Sequence, residues 1–302
     1  MSLAEPATQD GESQGERATQ DHLPAPLRAP RFPARAHGLL LTVAYDGSLF
    51  HGIARQHNQR TIAGELDGAI GAIDPRATTV RVCSRTDKGV HARGQLVCFD
   101  TDKEISSRGW LLALSQHLPD EISVVQVAKI KPGVEPSHLA RRKLYRYVLL
   151  RSQSRDPFWE RRAWRLYARL DLDSMQREAQ HLIGEHDFAA FRGAKDERSE
   201  TVRTMLRAEL SQSQDDPRLL RFDIEGNRFM YNMVRIIVGT LVDLGRGRIA
   251  PGAIKTALGS LQRADLGMTA PPDGLYLERV ELNVARDEIW PPLEPDADAQ
   301  FD

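Results

Sequence analysis

The sequence predicts an α+β fold built on a mostly antiparallel sheet. Three observations carry this expectation. Strand-like and helix-like apolar patterns are interleaved along the chain. Several neighbouring strand segments are joined by loops too short to hold a crossover helix, which restricts them to antiparallel pairing. The alternation also runs twice, in stretches of about 110 to 130 residues each, on either side of a Pro-containing break at 151 to 158.

The first 36 residues are rich in Pro, Ala, Gln, Glu and Arg with no sustained apolar period, so a disordered tail is expected. Order is expected from Leu39, where LLLTVAY supplies β-branched and aromatic residues before the turn residues Asp46, Gly47 and Ser48. Leu66, Ile70 and Ile73 recur at helical spacing over 63 to 73, with Thr61 available as a cap. The runs TTVRVC (78 to 83) and GQLVCFD (94 to 100) read as strands flanking the loop SRTDKGVHAR. A helix near 107 to 117, a strand near 121 to 131 and the run KLYRYVLL (143 to 150) complete a first half, 37 to 155. The second half, 156 to 285, is expected to hold strand AWRLY, a helix over 173 to 183 ended by Gly184, and strands near 200 to 211 and 218 to 225. A helix over 229 to 244, another started by Pro251 and the strand LYLERVELNV follow, then an acidic tail over 286 to 302.

Net charge is -1, from 41 Lys and Arg against 42 Asp and Glu, but the acids concentrate at the ends. Residues 1 to 30 carry -3 and residues 286 to 302 carry -5, which leaves +7 on the part able to fold. A basic core points to a polyanionic partner. No run approaches the roughly 18 consecutive apolar residues of a membrane span, and no basic segment leads into an apolar one at the N-terminus, so a cytoplasmic protein without membrane contact is expected. Two cysteines, Cys83 and Cys98, exclude a disulfide framework and a four-cysteine zinc site and read as small buried hydrophobes.

Three places stand out for chemistry. Asp87 lies two residues before Gly89 between strands, as an ordinary hairpin turn requires. Arg85, Lys88 and Arg93 close by supply the other reading, a carboxylate kept ionised as a nucleophile. Arg235 sits on a helix that is apolar on nearly every side, so its guanidinium calls for a carboxylate partner, with Asp223 or Glu225 on the preceding strand as ordinary candidates. Between Arg141 and Arg169, ten Lys or Arg stand against Asp156 and Glu160, interleaved with Tyr145, Tyr147, Phe158, Trp159, Trp164 and Tyr167. That mixture suits neutralising phosphates and stacking bases. Gly245-Arg246-Gly247-Arg248-Ile249-Ala250 matches the dinucleotide fingerprint, which would make the chain a nicotinamide-dependent oxidoreductase. A helical pattern precedes it where a strand is required, so a helix ended by glycine is the better reading.

Taken together, RTDKGVHARGQLVCFDT, KLYRY, FMYNMVRIIVGTL, YDGSLFHG (45 to 52), GEHDFAAFR (184 to 192), ETVRTM (200 to 205) and TAPPDGLYLERV (269 to 280) resemble the tRNA pseudouridine synthase A family, from about Leu40 to Val284. The resemblance implies two related α+β halves whose sheets join into one, helices packed on one side and an active cleft between the halves. It implies that Asp87 is the nucleophile, that Tyr145 lies in the active site and that Arg235 pairs with Asp87. Arg85, Arg55, Lys143, Arg161 and Arg162 are the expected RNA contacts. It further implies a homodimer acting on tRNA uridines 38 to 40 with no metal, redox cofactor or ATP. The chain departs from the family pattern at Ile53 and Ala54, over Val134 to Ser137, and at Ser115 and His117. These departures fall on RNA contacts and cleft walls, and they motivate one competing expectation, a catalytically weak RNA-binding paralogue acting as a tRNA chaperone.

Overall fold

The computed structural model describes residues 35 to 284, so the expected tails lie outside the described residues apart from Arg35 and Ala36. Strand β1 (His37–Tyr45) leads through a short 3-10 turn to helix α1 (Ile62–Ile73), which Thr61 caps by accepting the Gly64 N–H. Next come β2 (Arg81–Val82), β3 (His91–Thr101), α2 (Ser107–His117), β4 (Ile122–Ile130), the single turn α3 (Pro136–Leu139) and β5 (Ala140–Arg151). The chain continues through β6 (Trp164–Leu166), α4 (Leu172–Gln180), β7 (Gly184–Asp187), β8 (Val202–Gln212) and β9 (Leu219–Gly226). Helices α5 (Met233–Gly245) and α6 (Ala253–Ser260) precede the last strand, β10 (Leu275–Leu282).

All ten strands form one sheet in the order β4-β1-β3-β10-β5-β9-β8-β7, with β2 beside β3 and β6 beside β5. The pairings are antiparallel except for two short parallel ones, β10 with β3 and β6 with β5. The last strand is therefore the seam. Tyr276 pairs with His91 on β3 and with Arg146 on β5, which brings the Asp87 loop and the start of the basic band to the two sides of one strand. Leu39, Leu40, Leu41, Phe99 and Trp110 fill the core beside β1 and β3, and the Trp110 ring meets Phe99 edge-on at 5.0 Å. Both cysteines are buried and unpaired, and no described helix is long and apolar enough to cross a membrane.

Several segments differ from the sequence expectation for identifiable reasons. The strand expected over 78 to 83 is reduced to two residues because side chains take over its pairing. Thr78 Oγ1 accepts the Asp100 N–H at 2.8 Å, Asp67 Oδ1 accepts the Val80 N–H at 2.8 Å, and buried Arg81 makes a two-pronged ion pair with Asp100 at 2.9 and 2.8 Å. Gly184 opens a strand, β7, with φ of 105° instead of only ending a helix. The helix expected from 229 starts at Met233, since Asn232 has a left-handed backbone with φ of 61°. The fingerprint-like Gly245 ends this helix, and Gly247 follows in the left-handed region at 71°, so the glycines serve a helix terminus.

Helix α5 is buried almost all round, as expected for a helix without a polar face. Gly239 makes this possible, because a Cβ there would stand 1.8 Å from the Met268 carbonyl oxygen. Gly239→Ala is expected to destabilise the fold by about 3 kcal/mol or more in urea unfolding, the upper range for overpacking against rigid backbone. An unchanged midpoint would show that residues 267 to 270 yield readily.

Candidate active site

The loop between β2 and β3 is held from β3 and β1 by buried polar groups. Fully buried Gln95 accepts the Ser84 N–H at 3.1 Å and donates to the Ser84 carbonyl at 2.8 Å. The Tyr45 and Thr86 hydroxyls share a hydrogen bond of 2.6 Å, and the Thr86 carbonyl accepts the Ile53 N–H at 3.1 Å. Gly52, with φ of 88°, lets that segment come close; a Cβ there would approach the same carbonyl to 2.7 Å. The Val90 N–H closes the turn on the Asp87 carbonyl at 3.1 Å.

The turn is real, but the Asp87 carboxylate does not build it. Its half-buried side chain accepts no hydrogen bond and makes no ion pair within 4 Å among the described residues, whereas a turn-forming Asp bonds its own loop backbone. Burial pushes the carboxyl above its ordinary value of 3.8, and the charge of Arg235 pulls it back in part. The cations adjacent in sequence contribute otherwise than expected. Lys88 Nζ lies 3.2 Å from His51 Nε2, Arg93 pairs with Glu278 at 3.7 Å and stands over the Tyr276 ring, and Arg85 is exposed. A weakly solvated carboxylate with free lone pairs results, which is what a nucleophile needs.

Arg235 reaches this loop from the other half, on the first turn of α5. Its Nε donates to the Ala270 carbonyl at 2.8 Å and Nη1 to Asn232 Oδ1 at 2.8 Å, while its own carbonyl accepts the Ala270 N–H at 2.9 Å. The direct carboxylate partner expected from its burial is not found among the described residues. Asp223 is engaged by Arg146 at 2.8 and 2.9 Å, and Glu225 lies 3.8 Å from Arg142. Neutral oxygens satisfy two edges of the guanidinium and fix its plane, and its charge acts on Asp87 through space.

Tyr145 is buried on β5, between Ile224 of β9 and Leu277 of β10, with its ring edge-on to Phe229 at 4.9 Å. Burial, followed by the nearby charges of Tyr45, Cys83 and Asp87, moves its phenol far above the usual range, so it stays protonated. Lys143, two residues earlier on the same face, is half-buried, and desolvation lowers its ammonium.

The other expected RNA contacts divide. Arg161 is exposed, with a left-handed backbone at φ of 60°. Arg55 is tied to Asp67 of α1 and to the Val80 carbonyl at 3.1 Å. Arg162 pairs with Asp46 at 2.9 Å, and its carbonyl accepts the Tyr276 hydroxyl at 2.7 Å, so it straps the segment before β6 to the first half. The excess of cations between 141 and 169 is also partly offset on folding, by Asp223, Glu225, Glu278 and Glu281.

Sequence reasoning did not single out Gln95, Tyr45 and His91. His91 is stacked on Tyr276 at 4.6 Å, accepts the Gly47 N–H at 3.2 Å, and its Nε2 lies 3.1 Å from the Asp273 carbonyl oxygen. His91 falls inside the quoted motif RTDKGVHA, but its partners lie 44 and more positions away, beyond any local signal.

A carboxylate on a braced loop with no partner among the described residues, a buried phenol and a fixed guanidinium whose charge acts on that carboxylate from the second half form the candidate site on a mostly antiparallel sheet. A family model for tRNA pseudouridine synthase matches residues 179 to 283. tRNA pseudouridine synthase A of Bacillus subtilis is 40% identical over 244 residues, covering 80% of this chain and 98% of that protein. The protein of the same name from Halalkalibacterium halodurans is 40% identical over 244 residues, covering 80% and 91%. That of Moorella thermoacetica is 38% identical over 245 residues, covering 80% and 98%. The chain belongs to the tRNA pseudouridine synthase family.

Proposed function

We propose that this protein isomerises uridine to pseudouridine in tRNA, in the anticodon arm at positions 38 to 40, with Asp87 as nucleophile. The observation that carries the reading is the braced, half-buried Asp87 carboxylate, which has no hydrogen-bond or ion-pair partner among the described residues. The reaction breaks the bond from N1 of uracil to carbon 1′ of ribose, turns the base and forms a bond from carbon 5; the proton leaves carbon 5 and N1 gains one. The target uridine must leave its stack to reach Asp87. Arg235 orients and offsets the carboxylate charge, and Tyr145 packs on the base and assists the proton transfer at carbon 5. The chain divides functionally into halves 37 to 155 and 156 to 285. It works as a cytoplasmic homodimer, with Arg85, Arg55, Lys143, Arg161 and Arg162 on the tRNA side.

Mapping pseudouridines in total tRNA from cells with and without the protein tests this. Loss confined to 38 to 40 supports it, and an unchanged map rejects it in favour of an RNA-binding role. Tyr145→Phe is expected to keep tRNA affinity, because the ring and its contact with Phe229 remain, and to lower kcat by about 10²-fold, the smaller end of an acid-base contribution. Wild-type kcat in this variant would restrict Tyr145 to packing.

A further inference from the structure

An open pocket of about 470 Å³ lies where β5 and β8 begin and the chain leaves β9. Its walls include Arg141, Arg203, Asn227 and Arg228, with Glu200 as the acidic side chain. Sheet register explains the concentration of charge. Lys143 pairs with Gly226, and Gly226 pairs with Met205. Stepping two residues outward along each chain gives Arg141, Arg228 and Arg203, a row of three guanidinium-bearing residues at the same end of neighbouring chains, all lining this pocket.

This row is only partly countered, since Arg141 pairs with Glu281 at 3.3 Å on a half-exposed rim while the other two are less well matched. Arg203 is buried; it donates to the Val202 and Glu200 carbonyls, yet its buried Nε has no partner. The carboxylate facing it, Glu200 at 3.5 Å, is mostly exposed. Arg228 is exposed, and its side chain has no hydrogen bond or ion pair among the described residues. Desolvation and the charges of Arg198 and Arg228 lower Arg203, and the same two cations lower Lys143 after its own desolvation. Asn227 Oδ1 accepts the Thr204 N–H at 3.1 Å and the Arg228 N–H at 2.7 Å. That fixes the carboxamide and leaves its NH₂ as a donor without a partner among the described residues, on the pocket wall.

Like charges gathered around an open volume, with planar forks and a spare amide donor, match the oxygens of a phosphate group. The geometry points to a clamp for a backbone phosphodiester of the RNA substrate, formed by Arg141, Arg203, Asn227 and Arg228. Arg141 lies four residues from Tyr145 along β5, about 13 Å on an extended strand. The clamp therefore holds a phosphate flanking the reacting nucleotide and leaves the base free to turn at Asp87. The assignment to RNA rests on the function proposed above.

The test is equilibrium binding of tRNA across a sodium chloride series, with wild type, the double variant Arg141→Ala/Arg228→Ala, and Arg76→Ala as an exposed arginine elsewhere. Both clamp substitutions are on exposed residues, so melting should be unaffected. The double variant is expected to lower the salt slope by about one unit and affinity by roughly tenfold, with KM raised far more than kcat is lowered; Arg76→Ala should do neither. Equal slopes in the two variants would overturn the clamp. If inorganic phosphate stabilised wild type but not the double variant, while tRNA slopes stayed equal, the pocket would hold a free anion and the RNA assignment would fall. If the slope difference held in a protein with no synthase activity, the clamp would stand and the proposed reaction would not.

Discussion

Asp87→Asn is expected to abolish pseudouridine formation, lowering tritium release from tRNA labelled at carbon 5 of uracil by on the order of 10⁴-fold or more, as for loss of other nucleophiles. Binding to tRNA and the fold should survive. The loop is held by Gln95, Tyr45 and Ile53 through residues 84 and 86, and none of these contacts uses the Asp87 carboxylate. The neutral amide keeps the size and loses the attack. A second expected result follows from the raised carboxyl. The folded state binds this proton more tightly than the unfolded chain, so stability falls as pH rises from 3.8 through the folded value and then levels. The Asn variant should therefore be at least as stable as wild type at pH 7, with the difference fading below 3.8. Equal tritium release from both proteins would remove Asp87 from the mechanism, and none from either would favour the RNA-binding paralogue.

Arg235→Ala is expected to slow turnover by about 10² to 10³-fold, the usual cost of removing one preorganised electrostatic group. Its charge is the one that lowers the Asp87 carboxyl, opposing burial. If Asp87 is the proposed nucleophile, its ionised form is the active one, so activity is expected to fall on the acid side through a value above 3.8, and without Arg235 that limb to move to higher pH. Arg235→Lys separates charge from geometry. An ammonium restores part of the pH position but cannot span the Ala270 carbonyl and Asn232 Oδ1 at once, so the rate should stay low. Wild-type rates and pH profiles in both variants would reduce Arg235 to a brace for residues 267 to 270.

The site was legible in the sequence to an uneven degree. Asp87 and Tyr145 stand in short ordered motifs, and the charge of Asp87 is felt by the Tyr145 phenol. Arg235 was conspicuous because a guanidinium on an apolar helix demands partners. The partners themselves were misjudged, because Ala270 and Asn232 satisfy it with neutral oxygens. Composition also overstated the basic band, since Asp223, Glu225, Glu278 and Glu281 come from strands distant in sequence.

By itself the sequence determined the α+β class, the order of the long helices and strands, the buried state of both cysteines and the candidate chemistry of the Asp87 loop. Those properties follow from apolar period, turn residues and local charge, all of which act over a few positions. Tertiary structure alone decided that β10 is the seam between β3 and β5, that Arg162 is engaged by Asp46, and that Arg141, Arg203 and Arg228 stand in one row. Strand register joins residues tens of positions apart, and burial changes the protonation and pairing of charged groups only after those strands have met.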